Sequence, residues 1–181
     1  MTDDQLYRSY LAGTAEAGDQ LMLRYGDALI AYVSAFGHSL QDAEDLMLDC
    51  FSVILVDKPR IADGHFRAYL FRTARNMANR LWRLRMRRNE FSLEENGFPQ
   101  EESPEEAAWR SERNGILRRC LNRIAPQYRE ALWLVYDLQL SYADAAGVLG
   151  CGTKKIDNLL SYGKKQLRQE LKKEGITYAD V

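Results

Sequence analysis

Residues 66 to 88 read F-R-A-Y-L-F-R-T-A-R-N-M-A-N-R-L-W-R-L-R-M-R-R, a stretch with helical periodicity that holds eight arginines and no acid. On a helix turning about 100° per residue, Leu70, Ala74, Met77, Leu81 and Leu84 share one stripe. Tyr69, Arg72, Asn76, Asn79, Arg80, Arg83 and Arg87 share the opposite one. The segment must therefore be a helix packed on one side, and its other side must carry concentrated positive charge. A face that merely meets solvent usually mixes signs, with glutamates set one turn before lysines. Here like charges repel one another, which makes sense when a polyanion or an acidic protein surface supplies the balance.

The formal net charge of −1 conceals the segregation of charge along the 181 residues. Residues 1 to 64 hold 4 basic and 11 acidic side chains, 65 to 88 hold 8 and none, 89 to 117 hold 2 and 8, and 118 to 181 hold 11 and 7. Blocks of alternating sign imply several distinct surfaces. The 46% hydrophobic content is that of a globular chain. No apolar run approaches the roughly 18 residues of a membrane span, and the start M-T-D-D-Q lacks the basic character of a signal peptide. Cys50, Cys120 and Cys151 are odd in number and far apart, so neither a disulfide framework nor a zinc site is indicated, and a reducing cytoplasm is expected. His38 and His65 lack ligand partners at helical spacing, and no nucleophile, base and orienting group stand together. The expectation is a protein with no cofactor or metal that is not an enzyme.

Strand signals are nearly absent and the 3.6-residue period recurs throughout, so the fold class is all-α. A first helix is expected from Gln5 to Leu11 behind Asp3 or Asp4 as N-cap, and a second from about Glu16 to Phe36, ended by Gly37. Ser39 and Asp42 form a capping box opening a third, Leu40 to about Asp57. The loop K-P-R-I-A-D-G leads into the arginine helix. Residues 89–105, N-E-F-S-L-E-E-N-G-F-P-Q-E-E-S-P-E, read as an acidic flexible linker between two small helical domains. After it, helices are expected from Ser103-Pro104 to about Ile124, from Pro126 to about Asp137, from Ser141, and from about Thr153 to Lys173.

The stretch L-S-Y-A-D-A-A-G-V-L-G-C-G-T-K-K-I-D-N-L-L-S-Y-G-K-K-Q-L-R has the pattern of a helix-turn-helix. Ser141 caps a short helix, Ala145, Ala146 and Leu149 face inward, and Gly150 and Gly152 make the turn. Ile156, Leu160, Gly163 and Leu167 form the buried stripe of the second helix. Its outward positions, Lys154, Lys155, Asp157, Asn158, Ser161, Tyr162, Lys164 and Lys165, suit phosphates and base edges in a major groove. A plain helical hairpin in a bundle core remains the alternative.

Together with D-A-E-D-L-M-L-D-C-F in residues 42 to 51 and F-R-A-Y-L-F-R-T-A-R-N in 66 to 76, this segment makes the chain resemble bacterial RNA polymerase sigma factors of the extracytoplasmic-function class. The order and spacing of the segments match over nearly the whole length. The resemblance implies sigma region 2 over 1–88, a linker over 89–105, and sigma region 4 over 106–181. It assigns polymerase binding to Asp42, Glu44, Asp45 and Asp49, against the clamp helices of the β′ subunit, while the β flap is the implied partner of region 4. It assigns the −10 element to Tyr69, Arg72, Asn76, Asn79, Arg80 and Arg83 with the loop from Lys58 to His65. An unstacked base would lie against Asn76, with Tyr69 or Trp82 able to stack or pack nearby. The −35 duplex falls to Lys154, Lys155, Asn158, Ser161, Tyr162, Lys164 and Lys165, and Arg168 adds charge. The family's usual residues are absent at Leu48 (glutamine), Tyr69 (tryptophan), Arg80 (aspartate), Leu159 and Tyr162 (arginines) and Asp157 (lysine).

The implied function is a cytoplasmic transcription initiation factor that binds core RNA polymerase, directs it to promoter DNA and helps open the −10 element. An anti-sigma factor is a further partner the family implies, and no membrane insertion is expected. Two other classes explain part of the chain. An autonomous helix-turn-helix regulator leaves residues 1 to 88 without a role, and a helical adaptor for acidic partners leaves the helix-turn-helix unexplained.

Overall fold

The computed structural model describes residues 1–88 and 115–176, all helices and connections among the described residues. The expected linker, and the start of the helix expected after Ser103, lie outside them. The chain divides into two units. The first contains α1 (Asp3–Leu11), α2 (Ala15–Ser34), α3 (Leu40–Val56) and α4 (Phe66–Arg88). The second contains α5 (115–123), α6 (Pro126–Leu132), a π-helical turn Trp133–Asp137, α7 (Tyr142–Leu149) and α8 (Thr153–Lys173).

Local chemistry sets most boundaries. The Ser39 hydroxyl accepts from the Asp42 amide at 3.2 Å while the Asp42 carboxylate accepts from the Ser39 amide at 3.3 Å, the reciprocal box read from the sequence. The same box opens α1, where Thr2 and Gln5 exchange bonds. Thr2, rather than Asp3 or Asp4, is therefore the N-cap: its partner Gln5 stands at the third helical position, and Asp3 and Asp4 occupy the first turn, where acids favour the helix dipole. Helix α2 closes at Ser34 with Ala35 as C-cap, two residues short of Phe36.

The core of the first unit is an aromatic and aliphatic cluster. Leu6, Leu21, Leu29, Ile54, Leu70 and Phe71 are fully buried. Phe71 meets Tyr25 and Tyr32 edge-on, with ring centroids at 6.4 and 5.4 Å, and Phe66 lies 5.5 Å from Tyr7. Each such side chain contributes about 1.5 to 3 kcal/mol by leaving water, and edge-to-face geometry adds to it.

The inward face of α4 differs from the stripe drawn from periodicity. Phe66, Leu70, Phe71, Ala74 and Ala78 are buried, Met77 and Leu81 half-buried, and Leu84 is exposed. The buried series runs 66, 70, 74, 78, strictly four apart, so the face turns steadily away from position 84. At the far end Arg85 replaces apolar contact. Its two guanidinium nitrogens donate to the two Asp42 oxygens, each at 2.6 Å.

His38 is buried beside this pair, its Nδ1 without a hydrogen-bond partner among the described residues. Burial lowers its pKa, as does the Arg85 charge, against the opposing pull of Asp42 and a hydrogen bond to the Ala78 backbone. A base whose folded pKa is depressed stabilises the fold fully above its unfolded value of 6.5, and that stability is lost as pH falls below it. The first unit should therefore unfold at lower urea at about pH 5.5 than at about pH 7.5, and His38→Gln should flatten the difference. An equal shift of the urea midpoint between the two pH values in both proteins would count against it.

In the second unit Ile156, Leu159, Leu160 and Gly163 of α8 are buried, and Leu167 is half-buried. A Cβ on Gly163 would stand 3.2 Å from both Tyr128 Cβ and Leu132 Cδ1, so the glycine sets the close approach of α8 to α6. Ala145 and Ala146 of α7 are buried as expected, while Leu149 is half-buried. Ser141 caps α7 through the Asp144 amide at 3.1 Å, and Gly150, at φ +66°, ends it in the left-handed conformation that glycine adopts without strain. Buried Arg129 donates to Asn122 at 3.1 Å.

Candidate nucleic-acid interface

Helix α4 runs Phe66–Arg88, the span read from the sequence. Opposite its buried face, Arg72, Asn76, Asn79, Arg80 and Arg83 are exposed, and Tyr69 is half-buried at the edge. Among the described residues no carboxylate pairs with Arg72, Arg80 or Arg83. Arg83 Nε donates to the Asn79 carbonyl at 3.2 Å, one turn back, which lays that guanidinium along the helix surface. The amides of Asn76 and Asn79 stand between these cations, so hydrogen-bond donors and acceptors are interleaved with positive charge.

Not all eight arginines are uncompensated. Arg85 is bound to Asp42, and Arg67 stands 3.8 Å from Asp3, which Arg24 and Tyr25 also hold at 2.6 Å. Those two arginines brace the helix against α3 and α1. The outer face keeps Arg72, Arg80 and Arg83 without a paired acid among the described residues.

The four acids assigned to polymerase binding divide the same way. Glu44, Asp45 and Asp49 are exposed along α3, with Leu48 half exposed among them. Asp42 lies at 15% exposure, engaged by Ser39 and Arg85. Burial acts to raise its pKa, but hydrogen bonds from Arg85 and Ser39 and the Arg85 charge outweigh this and hold it below the ordinary carboxylate value. Its place at the third position of the capping box signalled a local role. The pairing with Arg85, 43 residues away, had no local signal.

On α8, Lys154, Lys155, Asp157, Asn158, Ser161, Tyr162 and Lys165 are exposed, so the outward positions read from the sequence form one surface. Lys164 differs. It is half-buried, its ammonium donates to the Tyr136 hydroxyl at 2.7 Å and lies 5.2 Å from that ring, and the bond to Tyr136 raises its pKa. Tyr136 belongs to the π-helical turn, a local feature the sequence pattern does not encode. Leu159 is buried in the core of the unit.

Among the described residues no group of histidine, cysteine and carboxylate side chains could hold a metal ion. No described helix is long and apolar enough to cross a membrane.

Comparison with known proteins accounts for both units. The sequence profile of sigma-70 region 2 matches residues 21–88, and that of sigma-70 region 4 matches residues 114–167. The RNA polymerase sigma-H factor of Pseudomonas aeruginosa is 29% identical over 165 residues, 82% of this chain and 83% of that protein. The ECF RNA polymerase sigma factor SigE of Mycolicibacterium smegmatis is 26% identical over 158 residues, 86% of this chain and 62% of that protein. Among solved structures, the sigma factor RpoE of Bartonella quintana, crystallised with the anti-sigma factor NepR, superposes with a TM-score of 0.69 at 25% identity, over 85% of this chain and 96% of that one. CnrH, solved with the cytosolic domain of CnrY, shares the fold at a TM-score of 0.66 and 24% identity, over 94% of this chain and 97% of that one. With regions 2 and 4 matched in order, relatives of the same class and a matching fold, the chain belongs to the extracytoplasmic-function class of the sigma-70 family, the promoter-directing initiation factors of bacterial RNA polymerase.

Proposed function

We propose that the outer face of α4, together with the loop from Lys58 to His65, captures the non-template strand of the −10 element. The observation that carries this reading is the row of exposed Arg72, Asn76, Asn79, Arg80 and Arg83 with no acid paired to its arginines among the described residues. Arginines hold the displaced backbone, and Asn76 offers donors and acceptors to the edge of an unstacked base. Stacking a captured base contributes about 1 to 3 kcal/mol, which offsets the cost of unpairing without covalent catalysis. Helix α3 docks the polymerase β′ clamp through Glu44, Asp45 and Asp49, while Asp42 acts mainly to anchor Arg85. Helix α8 enters the −35 major groove with Lys154, Lys155, Asn158, Ser161, Tyr162 and Lys165, and Lys164 reaches a phosphate once released from Tyr136. Residues 1–88 and 106–181 serve as regions 2 and 4, joined by the acidic stretch 89–105, and the protein works in the cytoplasm.

Bartonella RpoE is bound by an anti-sigma factor, and the same class of partner would silence this chain by covering the acidic stripe of α3 and the basic face of α8. An autonomous duplex-binding regulator is disfavoured by the region 2 match, which includes α3 and α4.

Replacing Asn76 with alanine tests the −10 assignment. Asn76 is exposed, so the fold should be unaffected. Open-complex formation by reconstituted holoenzyme should fall about tenfold or more, the cost of losing a bidentate base contact. Closed-complex binding to duplex promoter should change little. Equal loss in both steps would contradict a base-capture role.

A further inference from the structure

Helix α1 lies outside the region 2 match, which begins at residue 21, and no promoter or polymerase contact is assigned to it. Four of its polar side chains, Asp4, Tyr7, Arg8 and Tyr10, nevertheless converge on the segment between α3 and α4. Tyr7, 4% exposed, donates its hydroxyl to the Pro59 carbonyl at 2.6 Å. The Asp4 carboxylate accepts from the Gly64 amide at 2.9 Å, and Arg8 pairs with Asp63 at 3.3 Å. Tyr10 donates to the Leu55 carbonyl at 2.8 Å, satisfying an acceptor in the last turn of α3, and its ring lies 5.3 Å from the Lys58 ammonium. The segment between α3 and α4 is thus fastened at both ends by one helix.

This fastening meets a need of the loop itself. Lys58 has φ +49° and Gly64 φ +81°, so the chain takes a left-handed turn at each end, and at Lys58 that turn is costly for a residue with a side chain. The turn at Gly64 is closed locally by the His65 amide donating to the Ala62 carbonyl at 3.1 Å, and α1 adds a bond at each end of the loop. The Pro59 carbonyl and the Gly64 amide find their partners on α1, which places its own apolar side, Leu6 and Tyr7, in the core.

We propose that α1 is a brace that sets the shape of the −10 reading loop, with Tyr7 and Asp4 as positioning residues for base discrimination. A loop fixed before DNA arrives loses less conformational freedom on capture and presents its groups to one base geometry. The inference rests on the reading of the 58–65 loop and Asn76 as the −10 surface.

The test uses holoenzyme reconstituted from the full chain and core polymerase, with open complexes selected from promoter fragments randomised over the −10 element. Tyr7→Phe keeps the buried ring and removes only the hydroxyl, and Asp4→Ala removes the acceptor. Each should flatten base preference at −10 by about three- to tenfold, the span of one hydrogen bond, with core affinity unchanged. Asp4→Asn keeps a carbonyl oxygen facing Gly64 and should restore the preference. Hydrogen exchange of the Gly64 amide should quicken in Asp4→Ala and not in Asp4→Asn. Faster exchange with an unaltered base preference would overturn the proposal. If Asn76→Ala flattens the preference while the Tyr7 and Asp4 variants do not, the brace fails and the −10 surface stands. If Asn76→Ala also leaves it unchanged, both fail.

Discussion

Reversing the charge of Asp45 and Asp49 together, to arginine, is expected to weaken binding to core RNA polymerase by at least about tenfold while leaving the fold intact. Both side chains are exposed on α3, so the substitution breaks no ion pair or hydrogen bond among the described residues. Surface changes of this kind alter stability by no more than about 0.5 kcal/mol. Binding would suffer more, because each reversal replaces an attraction by a repulsion at a desolvated contact. The same change at Asp42 would behave differently. It would strand Arg85 and break the α3 capping box, so loss of binding there would be mixed with loss of structure. Fluorescence titration of core polymerase, alongside thermal unfolding, separates the two. Unchanged affinity in the double variant would count against α3 as the clamp-binding surface.

Replacing Phe71 with alanine should cost about 3 to 5 kcal/mol, enough to unfold a large fraction of the first unit. Phe71 is fully buried and edge-on to two tyrosines from α2, which are too large to collapse into the space it would leave. Its neighbour on the other face, Arg72, is exposed one residue away, and Arg72→Ala should leave stability nearly unchanged. Chemical unfolding of the two variants would show whether α4 is divided so sharply. Similar midpoints for both would contradict the assigned inward face.

The burial of Phe71 was not legible in the sequence, whereas the full extents of α4 and α8, the basic outer face of α4 and the caps at Ser39 and Ser141 were. All of these depend on interactions within one turn or on a period repeated over several. The orientation of α4 was less legible. A stripe drawn through Leu81 and Leu84 follows local periodicity, whereas the buried face follows the i,i+4 series that packs on α2 and α3. Bonds between residues far apart in the chain left no trace. The Arg85–Asp42 pair spans 43 residues and the Tyr7–Pro59 bond 52, and each involves residue types equally at home on a surface. For the same reason α1 read only as a short N-terminal helix, and Lys164 as one more outward lysine.

The central claim is that this chain directs RNA polymerase to promoters and opens them. The most direct measurement is in vitro transcription with core polymerase and the chain on genomic fragments, with start sites mapped and the upstream DNA footprinted. Starts should depend on the chain, with protection at −35 and strand opening at −10. Failure to bind core polymerase, together with tight sequence-specific binding of duplex DNA by the chain alone, would contradict it.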